Sequence, residues 1–281
     1  MKFTKMHGTG NDFIVLDALR NELGISDYSA FARKFCDRNF GIGADGVILI
    51  EPSSVAEIKM RIINADGSEP EMCGNGIRCF AKYVYENGII KKEMISVETG
   101  AGIIVPALIL ENGIVKAVEV DMGEPRLLRK EIPMTDGDPD ARVIDEAFKI
   151  QNSKLKISCV SMGNPHCVII VDNVHQVDVA RIGSAIETSA QFPQRTNVEF
   201  VQVIDRNTIQ MRVWERGVGE TLACGTGACA AVVATALLNK TDRPVIVQLA
   251  GGNLEITWDP EDNHVEMTGE AETVYSGELL G

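Results

Sequence analysis

Residues 58–79 read IKMRIINADGSEPEMCGNGIRC and residues 209–230 read IQMRVWERGVGETLACGTGACA, one phrase written twice at a constant offset. Ile58, Met60 and Arg61 fall on Ile209, Met211 and Arg212, and Cys73, Gly74 and Gly76 fall on Cys224, Gly225 and Gly227. Outward from this stretch the match continues. GTGNDFIVLD at 8–17 resembles SMGNPHCVIIVD at 161–172, which sets Asn11 against Asn164, and ISVETGAGIIVPALI from Ile95 resembles VIVQLAGGNLEITWD from Val245. Solenoid periods run to only ~20–50 residues, so the reading is a two-domain, pseudo-symmetric protein.

The runs Phe13–Leu16, Gly46–Ile50, Ile58–Ile63 and Ile103–Leu110 are aliphatic, β-branched and bounded by turn formers, and predict strands. Cys167–Val171, Val198–Val203, Ile209–Trp214, Val245–Leu249 and Leu254–Trp258 predict strands in the second half. A helix is expected directly after each paired cysteine. In 75–87 the apolar positions Ile77, Phe80, Ala81 and Val84 share one face and Gly88 offers a C-terminal cap. In 228–238 every position but Thr235 is apolar, which predicts a helix enclosed by its own half. The proline-rich stretch 123–142, GEPRLLRKEIPMTDGDPDAR, has no partner in the first half and reads as the linker. The expected division is therefore residues 1–120 and residues 121–269.

Composition narrows the function. The chain has 281 residues, 45% hydrophobic and 24% charged, with net charge −13. A pI near 4.8 and the lack of a basic stripe argue against a nucleic-acid partner. The longest apolar run, Ala228–Leu238, falls short of the ~20 residues of a membrane span, and MKFTKMHGTGNDF lacks the apolar stretch of a secretory signal. A cytoplasmic protein is expected. The seven cysteines, at 36, 73, 79, 159, 167, 224 and 229, form no disulfide framework, and neither CxxC nor HExxH is present; no metal is expected.

A cysteine at a helix start meets the positive end of the helix dipole and unpaired N–H groups, which favour thiolate over thiol. The neighbouring glycines let backbone N–H groups approach a carboxylate. Two such turns facing one another across a cleft suit inversion at carbon, one thiolate removing a proton while a thiol returns one to the opposite face. Duplication singles out Cys73 and Cys224; Cys36, Cys79, Cys159, Cys167 and Cys229 read as small buried hydrophobes. His166, two residues after Asn164, is a candidate modulator of a nearby titrating group. Glu215 and Arg216 replace Asn64 and Ala65 of the first copy, a departure that points to asymmetric recognition of a charged ligand.

MHGTGNDF at 6–13, NADGSEPEMCGNGIRC at 64–79, SMGNPHC at 161–167, RTN at 195–197, ERGVGETLACGTGACA at 215–230 and MTGEA at 267–271 together resemble the diaminopimelate epimerase family along essentially the whole chain. The resemblance implies a cofactor-independent epimerase interconverting L,L- and meso-diaminopimelate, in lysine and peptidoglycan precursor synthesis. It implies an α+β fold of two similar domains from an internal duplication, each a curved, mostly antiparallel, barrel-like sheet around a central helix, with the active site in the interdomain cleft and a C-terminal strand, 270–281, returning to the first domain. Cys73 and Cys224 match the catalytic cysteines, Cys224 accepting and Cys73 donating in the L,L to meso direction. His166 and Glu215 match residues that tune the thiols. Asn11, Asn64, Gly74, Asn75, Asn164, Asn197, Glu215, Arg216, Gly225 and Thr226 match substrate-contact positions, and Tyr275 matches a tyrosine linked to homodimer formation. Where some relatives carry a substrate-contacting glutamine after the GIG segment, this chain has Gly46.

Two other readings stay open at the level of sequence. A related racemase acting on proline, hydroxyproline or histidine shares the two-cysteine logic, although the proline enzymes usually carry a histidine after the first Cys-Gly, where Asn75 stands here. A thiol redox or sensing protein would use paired reactive cysteines without proton exchange at a substrate carbon.

Overall fold

The computed structural model describes residues 1–150 and 153–279. In chain order its main elements are β1 (Lys2–Gly8), β2 (Asn11–Asp17), α1 (Tyr28–Phe35), β3 (Gly46–Glu51), β4 (Ile58–Asn64), α2 (Gly74–Glu86), β5 (Val97–Thr99), β6 (Gly102–Ile104), β7 (Ala107–Glu111) and β8 (Ile114–Asp121). There follow β9 (Glu146–Ile150), β10 (Ser153–Ser161), β11 (Pro165–Ile170), α3 (Val179–Glu187), β12 (Asn197–Asp205), β13 (Thr208–Glu215), β14 (Gly219–Thr221), α4 (Gly225–Leu237), β15 (Val245–Leu249), β16 (Gly252–Trp258), β17 (Val265–Gly269) and β18 (Glu272–Glu278). The fold is sheet-rich α+β. The chain separates into two compact units, Met1–Asp121 with Thr268–Gly281, and Met122–Met267.

Each unit repeats the other's wiring. In the first, β1–β2 is antiparallel, β2–β3 parallel, β3–β4 antiparallel, β4–β5 parallel and β5–β6 antiparallel. In the second, β10, β11, β12, β13, β15 and β16 pair in that order with the same alternation of sense. The repeat reaches individual side chains: Arg61 Nε donates to Glu69 Oε1 at 2.8 Å, and Arg212 Nε donates to Glu220 Oε1 at 2.8 Å, at matching places in the two copies. An internal duplication thus accounts for both sheets. β14 is an addition of the second unit, and β18 lies at the end of the first unit's sheet, beside β1.

Strand alternation decides what each face covers. Along β13, Ile209, Met211 and Val213 point to the cluster built around α4, and on β12 Val201 does the same while Val198 and Phe200 join the opposite cluster with Val179 and Ile186 of α3. In the first unit Ile14, Leu16, Val47, Leu49 and Ile63 pack with Phe31 and Ala32 of α1. The other face receives α2, which packs against β1, β2, β3, β4 and β8, as α4 packs against β10, β11, β12, β15 and β16. Each central helix is therefore packed under strands of its own unit. Accordingly α4 is buried from Gly227 through Thr235, whereas α2 keeps a half-buried side at Lys82, Tyr83 and Tyr85 and is exposed at Glu86.

Three expectations need correction. Pro106 breaks the single strand expected at Ile103–Leu110 into β6 and β7, because proline has no N–H to give the ladder. The central helices start earlier than the apolar pattern showed, at Gly74 and Gly225, so each cysteine is itself the N-cap. The stretch 123–142 is no loose linker: Arg129 is buried and Ile132 and Met134 belong to the core that includes Phe148 and Phe192. Its prolines and glycines mark turns in packed structure.

Candidate active site

Cys73 and Cys224 occupy the same local structure in their units. Each has extended backbone, φ −143° and ψ 119° at Cys73 and φ −129° and ψ 115° at Cys224, and each Sγ accepts the N–H of the glycine three residues on, Gly76 or Gly227, at 3.4 Å. The next two N–H groups, of Gly74 and Asn75 and of Gly225 and Thr226, stand in the first turn, where no intrahelical acceptor exists. They form an anion cradle beside a sulfur.

In the first unit the β1–β2 turn, with Gly10 at φ +83°, delivers Asn11 to the sulfur. Asn11 Oδ1 accepts from Cys73 Sγ at 3.6 Å and from Asn75 Nδ2 at 3.3 Å, and its Nδ2 donates to Asp45 Oδ2 at 2.7 Å. Asp45 is held by Arg38, which also pairs with Asp12 at 2.8 Å. Burial raises the Asp12 carboxyl, but Arg38 and Lys5 outweigh it and hold Asp12 at about 2. Beneath the turn lies Arg78, 0% exposed, whose NH1 donates to Gly74 O at 3.1 Å and whose NH2 donates to Asn75 Oδ1 at 2.9 Å and Thr9 Oγ1 at 3.2 Å. Asn64 closes β4 with its Nδ2 on Ser68 Oγ at 3.0 Å. Gly46 is opposite Asn64 in the β3–β4 register, and a Cβ there would lie 2.8 Å from Ile63 O, so this backbone leaves no room for a side chain.

In the second unit Gly163, at φ +93°, makes the equivalent turn before Asn164. Asn164 Nδ2 donates to Thr226 Oγ1 at 3.2 Å, and Thr226 Oγ1 lies 3.5 Å from Cys224 Sγ. His166, fully buried, places Nε2 2.9 Å from Asn164 Oδ1 and Nδ1 2.7 Å from Glu199 Oε1. Asn197 Nδ2 donates to Pro165 O at 2.9 Å and its Oδ1 accepts the Arg216 N–H at 2.9 Å, which fixes the turn carrying Glu215 and Arg216. Glu187 braces that turn, accepting from Gly217 N at 2.8 Å and from Trp214 Nε1 at 2.7 Å. The Arg216 side chain is exposed and donates to Gln194 O at 3.2 Å, and Glu215 accepts from the Thr221 hydroxyl.

The two sulfurs differ in environment. Cys73 is half-buried, while Cys224 is 7% exposed and its thiol is pushed well above the usual range by burial and then by the charge of Glu215, against the Thr226 and Gly227 hydrogen bonds. The helix-start argument for an easily ionised thiol is thus outweighed at Cys224. Cys36, Cys79, Cys159, Cys167 and Cys229 are buried at 3% exposure or less, and burial pushes the Cys36 and Cys79 thiols up to about 11 and about 12. Those five fit packing roles.

Sequence reasoning missed Arg78 and Glu199, the charged groups behind the two cysteine turns. It also missed why Gly227 is glycine: a Cβ there would lie 2.8 Å from Glu199 Oε1 and 3.3 Å from Cys224 Sγ. Because His166 pins that carboxyl, it cannot simply swing away. We expect Gly227→Ala to lose about 1–3 kcal/mol of stability, as overpacked cores do, and to lower kcat more than tenfold; a melt and a kcat like the parent's would show that the carboxyl yields freely.

The fold is shared with solved structures of distant sequence. A phenazine biosynthesis protein of the PhzF family from Bacillus anthracis superposes with a TM-score of 0.71 at 17% identity, covering 100% of this chain and 99% of that one. A probable proline racemase from Agrobacterium radiobacter gives 0.69 at 14% identity, covering 99% and 92%. A hydroxyproline epimerase from Agrobacterium vitis gives 0.69 at 13%, covering 99% and 91%. At such identities they show the fold alone: a duplicated α+β fold that this chain shares with PhzF and proline racemase proteins. Sequence relatives are more specific. Proteins called diaminopimelate epimerase from Moorella thermoacetica and Pelotomaculum thermopropionicum are each 55% identical to this chain, over 280 and 278 residues, covering 99% of it and 99% and 98% of themselves. One from Methanococcus maripaludis is 50% identical over 280 residues, covering 99% of both chains. The family profile of diaminopimelate epimerase matches residues 3–128 and 158–274. The chain belongs to the diaminopimelate epimerase family and is an isomerase.

Proposed function

We propose that the protein epimerises diaminopimelate with two thiols, interconverting the L,L and meso forms without a cofactor, in the synthesis of lysine and of peptidoglycan precursors. The observation that carries this reading is the duplicated N-cap cysteine, Cys73 on α2 and Cys224 on α4, each beside two first-turn N–H groups. One sulfur takes the α-proton as thiolate and the other returns a proton to the opposite face as thiol. In the L,L to meso direction Cys224 accepts and Cys73 donates. The N–H groups of Gly74, Asn75, Gly225 and Thr226 bind the carboxylate at the reacting carbon and stabilise the charge that grows there.

Asn11 and Asn164 set the two turns, Asn64, Asn197, Glu215 and Arg216 recognise the distal amino acid group, and His166 and Glu215 tune the thiols. A second charged end on the substrate matches the Glu215 and Arg216 pair better than the single charged end of proline. The test is proton NMR of the reduced protein with L,L-diaminopimelate in heavy water. Loss of the α-proton signal as the meso isomer forms is expected; an α-proton that never exchanges under reducing conditions would overturn the reading.

The protein is cytoplasmic in this proposal, and among the described residues no helix is long and apolar enough to cross a membrane. It is also a homodimer joined through β18. That strand ends its sheet and exposes Val274 and Tyr275, Tyr275 meeting Phe3 edge to face at 5.9 Å. An unprotected edge of this kind is a surface for pairing with another chain. Tyr275→Lys is expected to halve the mass measured by light scattering; an unchanged mass with a dimeric parent would place the interface elsewhere.

A further inference from the structure

Glu199 has no role in the reading above, yet it is a carboxyl group at 0% exposure on an apolar surface. It stands on β12 between Val168 of β11 and Val213 of β13, on the side that packs against α4. Oε1 meets His166 Nδ1 at 2.7 Å, and Oε2 has no hydrogen-bond partner among the described residues. A carboxyl so placed is costly to keep, which asks what it does there.

The hydrogen bonds that leave it run in one direction to the sulfur. Asn164 turns Nδ2 to Thr226 Oγ1, so its Oδ1 faces His166 and accepts from Nε2. The imidazole therefore carries its hydrogen on Nε2. Thr226 Oγ1 already accepts from Asn164, so the hydroxyl's own hydrogen is left for Cys224 Sγ at 3.5 Å. Nδ1 then has two choices. It can donate to an ionised Glu199, or accept the hydrogen of a neutral one. The ionised form would leave a bare charged oxygen at zero exposure, near Glu215 on β13 and the Cys224 thiolate on the α4 cap, with His166 as its counter-charge. Isolating an ion pair from water costs more than leaving the carbonyl-type oxygen of a neutral acid unsatisfied, which favours the neutral form. Burial also pushes the Glu199 carboxyl up.

We propose that Glu199 is a positioning residue for Cys224: as a neutral acid it donates to His166 Nδ1, fixes the Nε2–H tautomer, and so aligns Asn164 and Thr226 to donate a hydrogen bond to the Cys224 sulfur. The amide of Asn164 orients and does not relay protons, so no proton travels along the chain; its effect is to favour thiolate at a sulfur that burial disfavours. Keeping Glu199 neutral also removes a like charge from behind that thiolate. The proposal rests on Cys224 as a reacting thiol, assigned above.

The experiment reads the thiol without turnover. In a Cys73→Ala background, the rate of Cys224 alkylation by iodoacetamide is followed against pH, with mass spectrometry to locate the label. The buried cysteines stay unlabelled in any variant that folds. Glu199→Leu is expected to slow alkylation about tenfold at neutral pH, one pKa unit of lost thiolate. Glu199→Gln, whose amide can donate to Nδ1 as the acid does, is expected to stay within about threefold.

Faster alkylation of Glu199→Leu would mean that an ionised carboxylate had been repelling the thiolate, and an unchanged rate would mean that Glu199 only fills space; either overturns the proposal. If Glu199→Leu does not fold, a change of more than tenfold in Glu199→Gln overturns it alone. Failure of the two-thiol reading is separate and would appear as turnover persisting in Cys73→Ala or Cys224→Ala.

Discussion

Cys73→Ala and Cys224→Ala each lower kcat for diaminopimelate at least ~10³-fold in both directions, the expected size when one of two proton-transfer groups is removed outright. Stability is expected to change little. Each sulfur contributes a single 3.4 Å hydrogen bond to its helix cap, and weak caps are worth about 1 kcal/mol or less. The contrast between near-normal melting and near-absent turnover distinguishes a chemical role from a packing one. Chiral chromatography of the product together with a thermal melt provides both numbers, and either variant retaining a tenth of parental kcat would remove that cysteine from the mechanism.

Arg78→Met is expected to be the most damaging change outside the thiols. The guanidinium lies at 0% exposure and serves Gly74 O, Asn75 Oδ1 and Thr9 Oγ1, with Nε 3.4 Å from Glu270 O. Methionine fills a similar volume but donates nothing. The orphaned acceptors cost about 1–3 kcal/mol each before relaxation, and removing the ion from a buried polar network costs about 3–5 kcal/mol in all. Because Gly74 and Asn75 form the first turn beside Cys73, kcat falls together with stability. Urea unfolding gives the stability, and a loss below about 1 kcal/mol would show that the turn holds itself.

Much of this was legible in the residues because the chain is written twice. Matching Ile58–Cys79 to Ile209–Ala230 located both strands, both helices and both reactive turns, and the all-apolar face count of Ala228–Leu238 foretold an enclosed helix. Pro106 was visible too, but the apolar run Ile103–Leu110 concealed the break it causes. Arg78 was hidden by periodicity: three residues after Asn75, it reads as the polar side of an amphipathic helix, and only the fold reveals that this side is closed over. Glu199 had a faint signal, a lone charge in the apolar run Asn197–Val203 at a position whose neighbours two away, Asn197 and Val201, are buried. What no spacing could show is the hydrogen-bond direction from Glu199 to Cys224, which depends on side chains from three separate stretches of chain.

The unequal settings of the two sulfurs bear on the kinetics of the proposed cycle. Each inversion leaves the protons exchanged: the sulfur that began as base ends as acid. The resting molecule does not treat those two states alike, since Cys224 is buried against carboxyl groups whereas Cys73 is half-buried beside Asn11 and Asn75. After every turnover in a given direction the empty protein is in the tautomer suited to the reverse reaction, and it must trade a proton with water before it can repeat the same step. Repeating a reaction in one direction thus includes this resetting as a step of the proposed cycle, and the empty protein carries a short memory of the isomer it last released.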